Sequence, residues 1–118
     1  MVIAGFGCRA AATAESFRDA LAATGVRPDR IAVPADRLPQ IADFAHAEGL
    51  AVQPVAPPLL ESVATPTRSF ISLAHRGVGS VAEAVALAAA GPGAQILVTR
   101  QISSDRMATC AIAQGQDQ

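Results

Sequence analysis

The feature of the sequence that most constrains the fold is an alternation of short apolar runs with helical segments that end at glycine. The apolar run 2–6 precedes a helical segment that ends at Gly25, and the run 30–33 precedes a second segment that ends at Gly49. A third run, 50–55, follows. Strands that alternate with helices in this way form parallel sheets through right-handed crossovers. The first half of the chain therefore predicts a βαβαβ unit.

Capping residues and prolines predict where these elements begin. Thr13 is a suitable cap for the first helix, and Glu15 lies in its first turn, where the helix dipole favours an acid. The second helix is predicted to begin near Asp36, and it tolerates Pro39 in its first turn. Pro54 cannot donate to a sheet ladder, so the third strand is predicted at a sheet edge.

The pattern is less regular in residues 56–79. A short helical turn is predicted at Pro57-Pro58, and a further helix is predicted from Thr65-Pro66. The next helix has clearer ends, because Ser80 and Glu83 match a capping box and Gly91-Pro92 is a stop signal.

The last two apolar runs, 95–99 and 107–113, are joined by only seven residues. This connection is too short for a helical crossover, so the two strands are predicted to be antiparallel. The predicted fold class is three-layer α/β/α, with an open mixed five-stranded sheet in the order 3-2-1-4-5 and strand 5 antiparallel. Residues 1–118 are expected to form a single domain.

Composition narrows the function classes. The net charge is −1, the pI is about 6.0, and the chain contains no Lys, Trp or Tyr. No strongly basic surface is therefore expected for nucleic acid or an anionic membrane. No apolar stretch reaches the roughly 18 residues that span a bilayer, and no secretory signal pattern is present. We therefore expect a cytoplasmic protein.

The two cysteines, Cys8 and Cys110, are 102 positions apart and match neither a metal-binding spacing nor a disulfide framework. No cluster of His, Cys, Asp and Glu, no paired carboxylates and no Ser/His/Asp pattern stands out either. We therefore expect no metal and no cofactor.

Residues 5–10 match the G-x-G-x-x-A fingerprint of dinucleotide-binding folds. In such folds the pyrophosphate lies at the N-terminus of the helix that follows the glycines. Here the helix is predicted to start only at Thr13, and the acid expected at the ribose would have to be Asp36, which is already assigned to a helix start. A dinucleotide-binding domain is therefore the less favoured alternative.

The end of the first strand is nevertheless a candidate site, because open α/β sheets bind ligands at strand–helix junctions. Gly5 and Gly7 allow the backbone to approach a ligand, and Arg9 can pair with a carboxylate. Cys8 is either a reactive thiol near a helix N-terminus or a small buried residue, and the second interpretation is favoured. Cys110 alternates within an apolar strand and is expected in the core.

A second candidate site lies at the start of the last helix. Gly77 and Gly79 can present backbone amides to an anion. Ser80 and Glu83 serve equally well as a helix cap or as ligand-binding residues. Arg100 follows the fourth strand, and it is expected to face the same crevice as the first candidate site.

Taken together, these segments resemble the family of cobalamin-biosynthesis proteins formed by CobE and the C-terminal domain of CbiG. The resemblance covers essentially the whole chain in the same order. The matching segments are Gly5–Arg9 with Glu15, Gly77–Glu83 with the apolar residues 84–87, residues 90–94, Arg100 and residues 109–113.

This resemblance implies a place in vitamin B12 synthesis, in the oxygen-dependent route. The implied partners are a corrinoid or precorrin intermediate and other cobalamin-pathway enzymes, with no nucleic acid and no membrane. The implied function is binding of a polycarboxylate intermediate as an accessory or carrier protein. The alternative is a hydrolase that opens the ring-attached lactone of a precorrin, as CbiG-like proteins do. The ligand-binding residues are expected to be Gly5, Gly7, Cys8, Arg9, Glu15, Gly77, Gly79, Ser80, Glu83 and Arg100.

Overall fold

The computed structural model describes residues 1–56, 65 and 80–116. The helical turn expected at Pro57-Pro58, most of the helix expected from Thr65-Pro66, and Gly77–Gly79 lie outside the described residues. The described elements, in chain order, are β1 (Val2–Cys8), α1 (Ala14–Thr24), β2 (Arg30–Pro34), a 3-10 helix (Ala35–Arg37), α2 (Leu38–Glu48), β3 (Ala51–Val55), α3 (Val81–Ala90), β4 (Gln95–Ile102) and β5 (Ala108–Gln114).

The helices of the first half begin and end close to the predicted positions. Thr13 is the N-cap of α1, and its backbone N–H donates to Ser16 Oγ at 3.1 Å. Gly25 and Gly49 end α1 and α2 with φ of 69° and 70°, the left-handed conformation that favours glycine. The start of α2 differs from the prediction, because the 3-10 helix occupies the expected first turn and the α-helix begins at Leu38.

The sheet has the order β3-β2-β1-β5-β4. β1, β2 and β3 are parallel, and β5 is antiparallel to both β1 and β4. The α/β class, the edge position of β3 and the direction of β5 are confirmed.

The predicted order 3-2-1-4-5 is wrong, because β5 lies between β1 and β4. The burial of the two strands explains why β5, and not β4, lies next to β1. Five of the six residues 108–113 are buried, as in a central strand, whereas the residues of β4 alternate between exposed and half-buried, as at an edge.

Helices cover both faces of the sheet, as predicted. On one face α1 and α2 enclose a cluster of three rings, in which the centroid of Phe6 lies 5.7 Å from that of Phe17 and 5.8 Å from that of Phe44. On the other face α3 packs over Ile3 and Ala32. None of the helices within the described residues is long and apolar enough to cross a membrane.

The helix α3 approaches β1 unusually closely because Gly5 has no side chain. A Cβ atom on Gly5 would overlap the carbonyl oxygen of Ala82 and would lie 2.6 Å from the backbone nitrogen of Ala86. Small residues on both elements therefore set the distance between this helix and the sheet.

Candidate functional site

Five of the ten predicted site residues lie near the carboxyl ends of β1 and β4 or at the start of α3: Cys8, Arg9, Ser80, Glu83 and Arg100. We call this region the carboxyl edge and define it as residues 8–12, 35–40, 80–83 and 100–107. Within the sheet, Gly7 pairs with Thr109. A Cβ atom on Gly7 would lie 3.3 Å from the side chain of Val81 in the first turn of α3. The end of β1, the hairpin between β4 and β5, and the start of α3 therefore meet in one place.

Gly5 and Gly7 lie inside β1 and not in the turn that follows it. Both positions face α3, and a Cβ atom on Gly7 would also lie 2.9 Å from Thr109 Oγ1. The two glycines thus allow the close approach of a helix and of neighbouring side chains. Neither glycine lies in the turn after the strand, where dinucleotide-binding folds place a glycine of the fingerprint.

Arg9 lies at the start of a tight loop, residues 9–12, between β1 and α1. Its backbone N–H donates to the carbonyl oxygen of Met107 at 2.8 Å, and its own carbonyl accepts from the N–H of Ala12 at 3.0 Å. The side-chain amide of Gln40 in α2 also donates to the carbonyl oxygens of Arg9 at 2.7 Å and Ala10 at 3.0 Å. The loop is held from two sides, while the Arg9 residue itself is exposed.

The other end of the Gln40 amide contacts two further groups. Its Oε1 accepts from the thiol of Cys8 at 3.5 Å and from Nη1 of Arg37 at 3.4 Å. Gln40 and Arg37 were not among the predicted site residues. Their only sequence signal is position, because both follow the carboxyl end of β2, where α/β sheets place ligand-binding residues.

Neither Cys8 nor Cys110 forms a disulfide bond, and the two lie in different environments. Cys8 is half-buried beside Gln40. Cys110 is fully buried in β5, as expected, and burial raises the pKa of its thiol because a thiolate would lose its hydration there.

Ser80 and Glu83 combine a structural role with a position at the carboxyl edge. Ser80 is the N-cap of α3, and its Oγ accepts from the N–H of Glu83 at 3.3 Å. The Glu83 side chain is fully buried, and its Oε2 accepts from the backbone N–H of Arg100 at 2.8 Å. That amide lies where the register between β4 and β5 shifts, between Val98 and Gln101. Glu83 therefore connects the start of α3 to the edge strand β4.

The hairpin between β4 and β5 is fixed to α1 by a carboxylate. Asp105 accepts hydrogen bonds from Ser103 Oγ at 2.5 Å, from Ser16 Oγ at 2.6 Å and from the N–H of Met107 at 3.0 Å. The hydroxyl of Ser103, followed by that of Ser16, lowers the pKa of this carboxyl below its ordinary value. The hairpin thus presents a fixed surface next to the loop that carries Arg9.

Glu15 is not among the residues of the carboxyl edge. Glu15 is exposed on α1 and forms an ion pair with Arg18 one turn later, at 3.2 Å. Arg9, Ser80, Glu83 and Arg100 lie at the carboxyl edge with Cys8, whereas Gly77 and Gly79 lie outside the described residues.

The chain matches the model of one protein family. The cobalamin synthesis G C-terminus model matches residues 2–113. The comparison with curated proteins finds no match.

Solved structures of cobalamin biosynthesis proteins are similar over the whole chain. CobE, a protein from the cobalamin (vitamin B12) biosynthetic pathway, is 31% identical, with a TM-score of 0.85 over 100% of this chain and 92% of CobE. The cobalamin biosynthesis protein ChiG from Agrobacterium tumefaciens is 35% identical, with a TM-score of 0.76 over 99% of this chain and 100% of ChiG.

A cobalamin biosynthesis protein G homolog from Sulfolobus solfataricus shares the fold, with a TM-score of 0.74 at 19% identity. The match covers 98% of this chain and 37% of that protein. From the family match and the two closer structures, the chain belongs to the cobalamin synthesis G C-terminus family and is a protein of cobalamin biosynthesis.

Proposed function

We propose that this protein binds a polycarboxylate corrinoid or precorrin intermediate at its carboxyl edge, as an accessory or carrier protein. The observation that carries the proposal is the loop 9–12. It presents Arg9 at the surface, while Gln40 and the hairpin residue Met107 hold its backbone in place. A fixed backbone reduces the ordering cost of binding, and a guanidinium can pair with a carboxylate in a bidentate geometry.

The charges at the carboxyl edge suit such a ligand. Within the described residues, this edge holds four arginines and three carboxylates: Arg9, Arg37, Arg100 and Arg106, with Asp36, Glu83 and Asp105. The carboxylate of Asp105 at the same edge is already hydrogen-bonded by two serine hydroxyls, which spreads its charge. A corrin ring carries several acetate and propionate arms, so it requires several cationic or N–H donors around one surface.

The remaining candidate residues have different roles in this proposal. Ser80 caps the start of α3 by accepting from the N–H of Glu83, and Glu83 positions Arg100 through its backbone. Gly77 and Gly79 lie outside the described residues, and their part in binding stays a prediction from the sequence. Gly5 and Gly7 bring α3 close to the strand that leads to Arg9, and Cys8 contributes to the wall of the site through Gln40. We assign Glu15 no ligand contact because it pairs with Arg18.

The test is an absorbance titration with two corrins of different charge. Cobyrinic acid carries free carboxylate arms, and cobinamide carries amides on most of the same arms. We expect wild-type protein to bind the acid in preference to the amide. Arg9→Ala should weaken binding of the acid about tenfold or more, which corresponds to the loss of a hydrogen bond to a charged group.

Arg27→Ala is the matched control. Arg27 is exposed and lies in the connection before β2, at the amino-terminal end of the parallel strands and away from the carboxyl edge. There it pairs with Glu48. It should leave corrin affinity unchanged. Equal affinity of wild type and folded Arg9→Ala would refute the proposed site.

The hydrolase alternative has its own readout, because a hydrolysed precorrin lactone gains one water in its mass and a merely bound ligand does not.

A further inference from the structure

We propose that Arg37, oriented by Gln40, is a second carboxylate-binding group beside Arg9 and takes another acidic arm of the same ligand. The proposal rests on the proposed function and adds a subsite to it. Arg37 ends the 3-10 helix that follows β2, and Gln40 lies one helical turn later. Both therefore lie at the carboxyl end of the strand next to β1.

Only one of the three guanidinium nitrogens of Arg37 donates a hydrogen bond within the described residues. Nη1 donates to Gln40 Oε1 at 3.4 Å. Among residues 1–56, 65 and 80–116, neither the buried Nε nor Nη2 has a hydrogen-bond partner. Buried donors in proteins are nearly always paired, and a guanidinium cannot remove the mismatch by losing its proton. An acceptor supplied by a ligand would complete this set.

The unused donors have the right geometry for one particular acceptor. Nε–H and Nη2–H of an arginine point in the same direction and form a fork that fits the two oxygens of a carboxylate. Gln40 occupies Nη1 on the other side and leaves this fork unused. Arg37 as a residue is only partly buried, so part of it already lies at the surface from which a ligand would approach.

Gln40 also explains why the two arginines would act on one ligand. Its Oε1 contacts Arg37, and its Nε2 donates to the carbonyl oxygen of Arg9 at 2.7 Å. A single side-chain amide therefore separates the Arg37 guanidinium from the backbone that carries Arg9. Two arginines connected through one amide suit a ring with several carboxylate arms better than a ligand with one carboxylate.

The first measurement follows the Nε–Hε signal of Arg37 by NMR in ¹⁵N-arginine-labelled protein. The signal is assigned by its loss in Arg37→Lys. Titration with glutarate, a small dicarboxylate, and then with cobyrinic acid should move this signal in both cases. Arg37→Lys keeps the charge and removes the fork, so it should weaken binding of cobyrinic acid about tenfold.

The chain offers a matched control in Arg30. It also donates from Nη1 to a glutamine, Gln53 Oε1 at 3.3 Å, but it lies at the amino end of β2. Arg30→Lys should leave affinity unchanged, and the Arg30 signal should stay in place during both titrations.

The outcomes separate this inference from the proposed function. If cobyrinic acid binds wild type and Arg37→Lys equally well, the subsite is wrong and the proposed function stands. If glutarate moves the Arg37 signal but cobyrinic acid does not bind, the subsite stands and the proposed function fails. If neither compound moves the signal, the subsite is wrong.

Discussion

At the residue scale, the two glycines of β1 face different kinds of neighbour. Gly5 faces the backbone of α3, at the carbonyl of Ala82 and the nitrogen of Ala86, whereas Gly7 faces the side chains of Thr109 and Val81. Backbone atoms of a helix cannot move without disturbing the whole helix, but side chains can adopt another rotamer. The two glycines should therefore differ in how well they tolerate a methyl group.

We expect Gly5→Ala to destabilise the protein by about 3 kcal/mol or more and Gly7→Ala by about 1 kcal/mol, the two ends of the range for overpacking a core. Both glycines are buried in the same strand and face the same helix, so each variant is the control for the other. Urea denaturation measures the difference. Equal losses of stability, or a larger loss for Gly7→Ala, would contradict the close packing of the α3 backbone against Gly5.

The two thiols should differ in reactivity. Cys110 is fully buried and burial raises its pKa, so it should react with a thiol reagent only after unfolding. Cys8 is half-buried and should account for any label taken up by folded protein. Intact-mass measurement of Cys8→Ser checks this, since folded protein should gain no label and unfolded protein should gain one. A label on folded Cys8→Ser would show that β5 is not a central strand.

At the scale of elements, the sequence could not decide which strand of the β4–β5 hairpin pairs with β1. The short connection correctly predicted an antiparallel pair, but a hairpin can join the sheet through either of its strands. The choice depends on burial on both faces. The alternation of exposed and half-buried residues in β4 and the nearly continuous burial of 108–113 become visible only once α1 and α3 are in place.

The attachment of this hairpin to α1 should depend on pH. Hydrogen bonds from Ser103 and Ser16 lower the pKa of Asp105 in the folded protein below its unfolded value of about 3.9. The ionised carboxylate is therefore favoured by folding, so its stabilising effect is fully present above about pH 4 and is lost as the pH falls through the folded pKa. Wild-type stability should decrease on acidification in this range.

Asp105→Asn should remove part of that acid dependence, and Asp43→Asn, a change at an exposed residue of α2, is the control. Denaturation midpoints between pH 3 and pH 7 measure the effect. The same acid-induced loss in wild type and Asp105→Asn would mean that Asp105 does not hold the hairpin against α1.

At the scale of the whole molecule, the direction of the strands matters more for the candidate site than their order. The sequence correctly predicted that β4 runs parallel to β1, and this alone brings Arg100 to the same edge as Arg9, although β5 separates the two strands. The predicted cap at Ser80 likewise placed the start of α3 correctly. Gln40 and Arg37 were missed because their contacts depend on how α2 is rotated against the loop 9–12, which no local pattern specifies.

Backbone NMR can locate the bound ligand on the folded protein. Backbone amide signals of ¹⁵N-labelled protein are followed by NMR during titration with cobyrinic acid. We expect the largest shifts in residues 9–12 and 80–83 at the carboxyl edge, and no shift around Arg27 and Glu48 at the opposite edge. Saturable shifts confined to Arg27, Glu48 and their neighbours, with the carboxyl edge unchanged, would show that the corrin does not bind at the carboxyl edge.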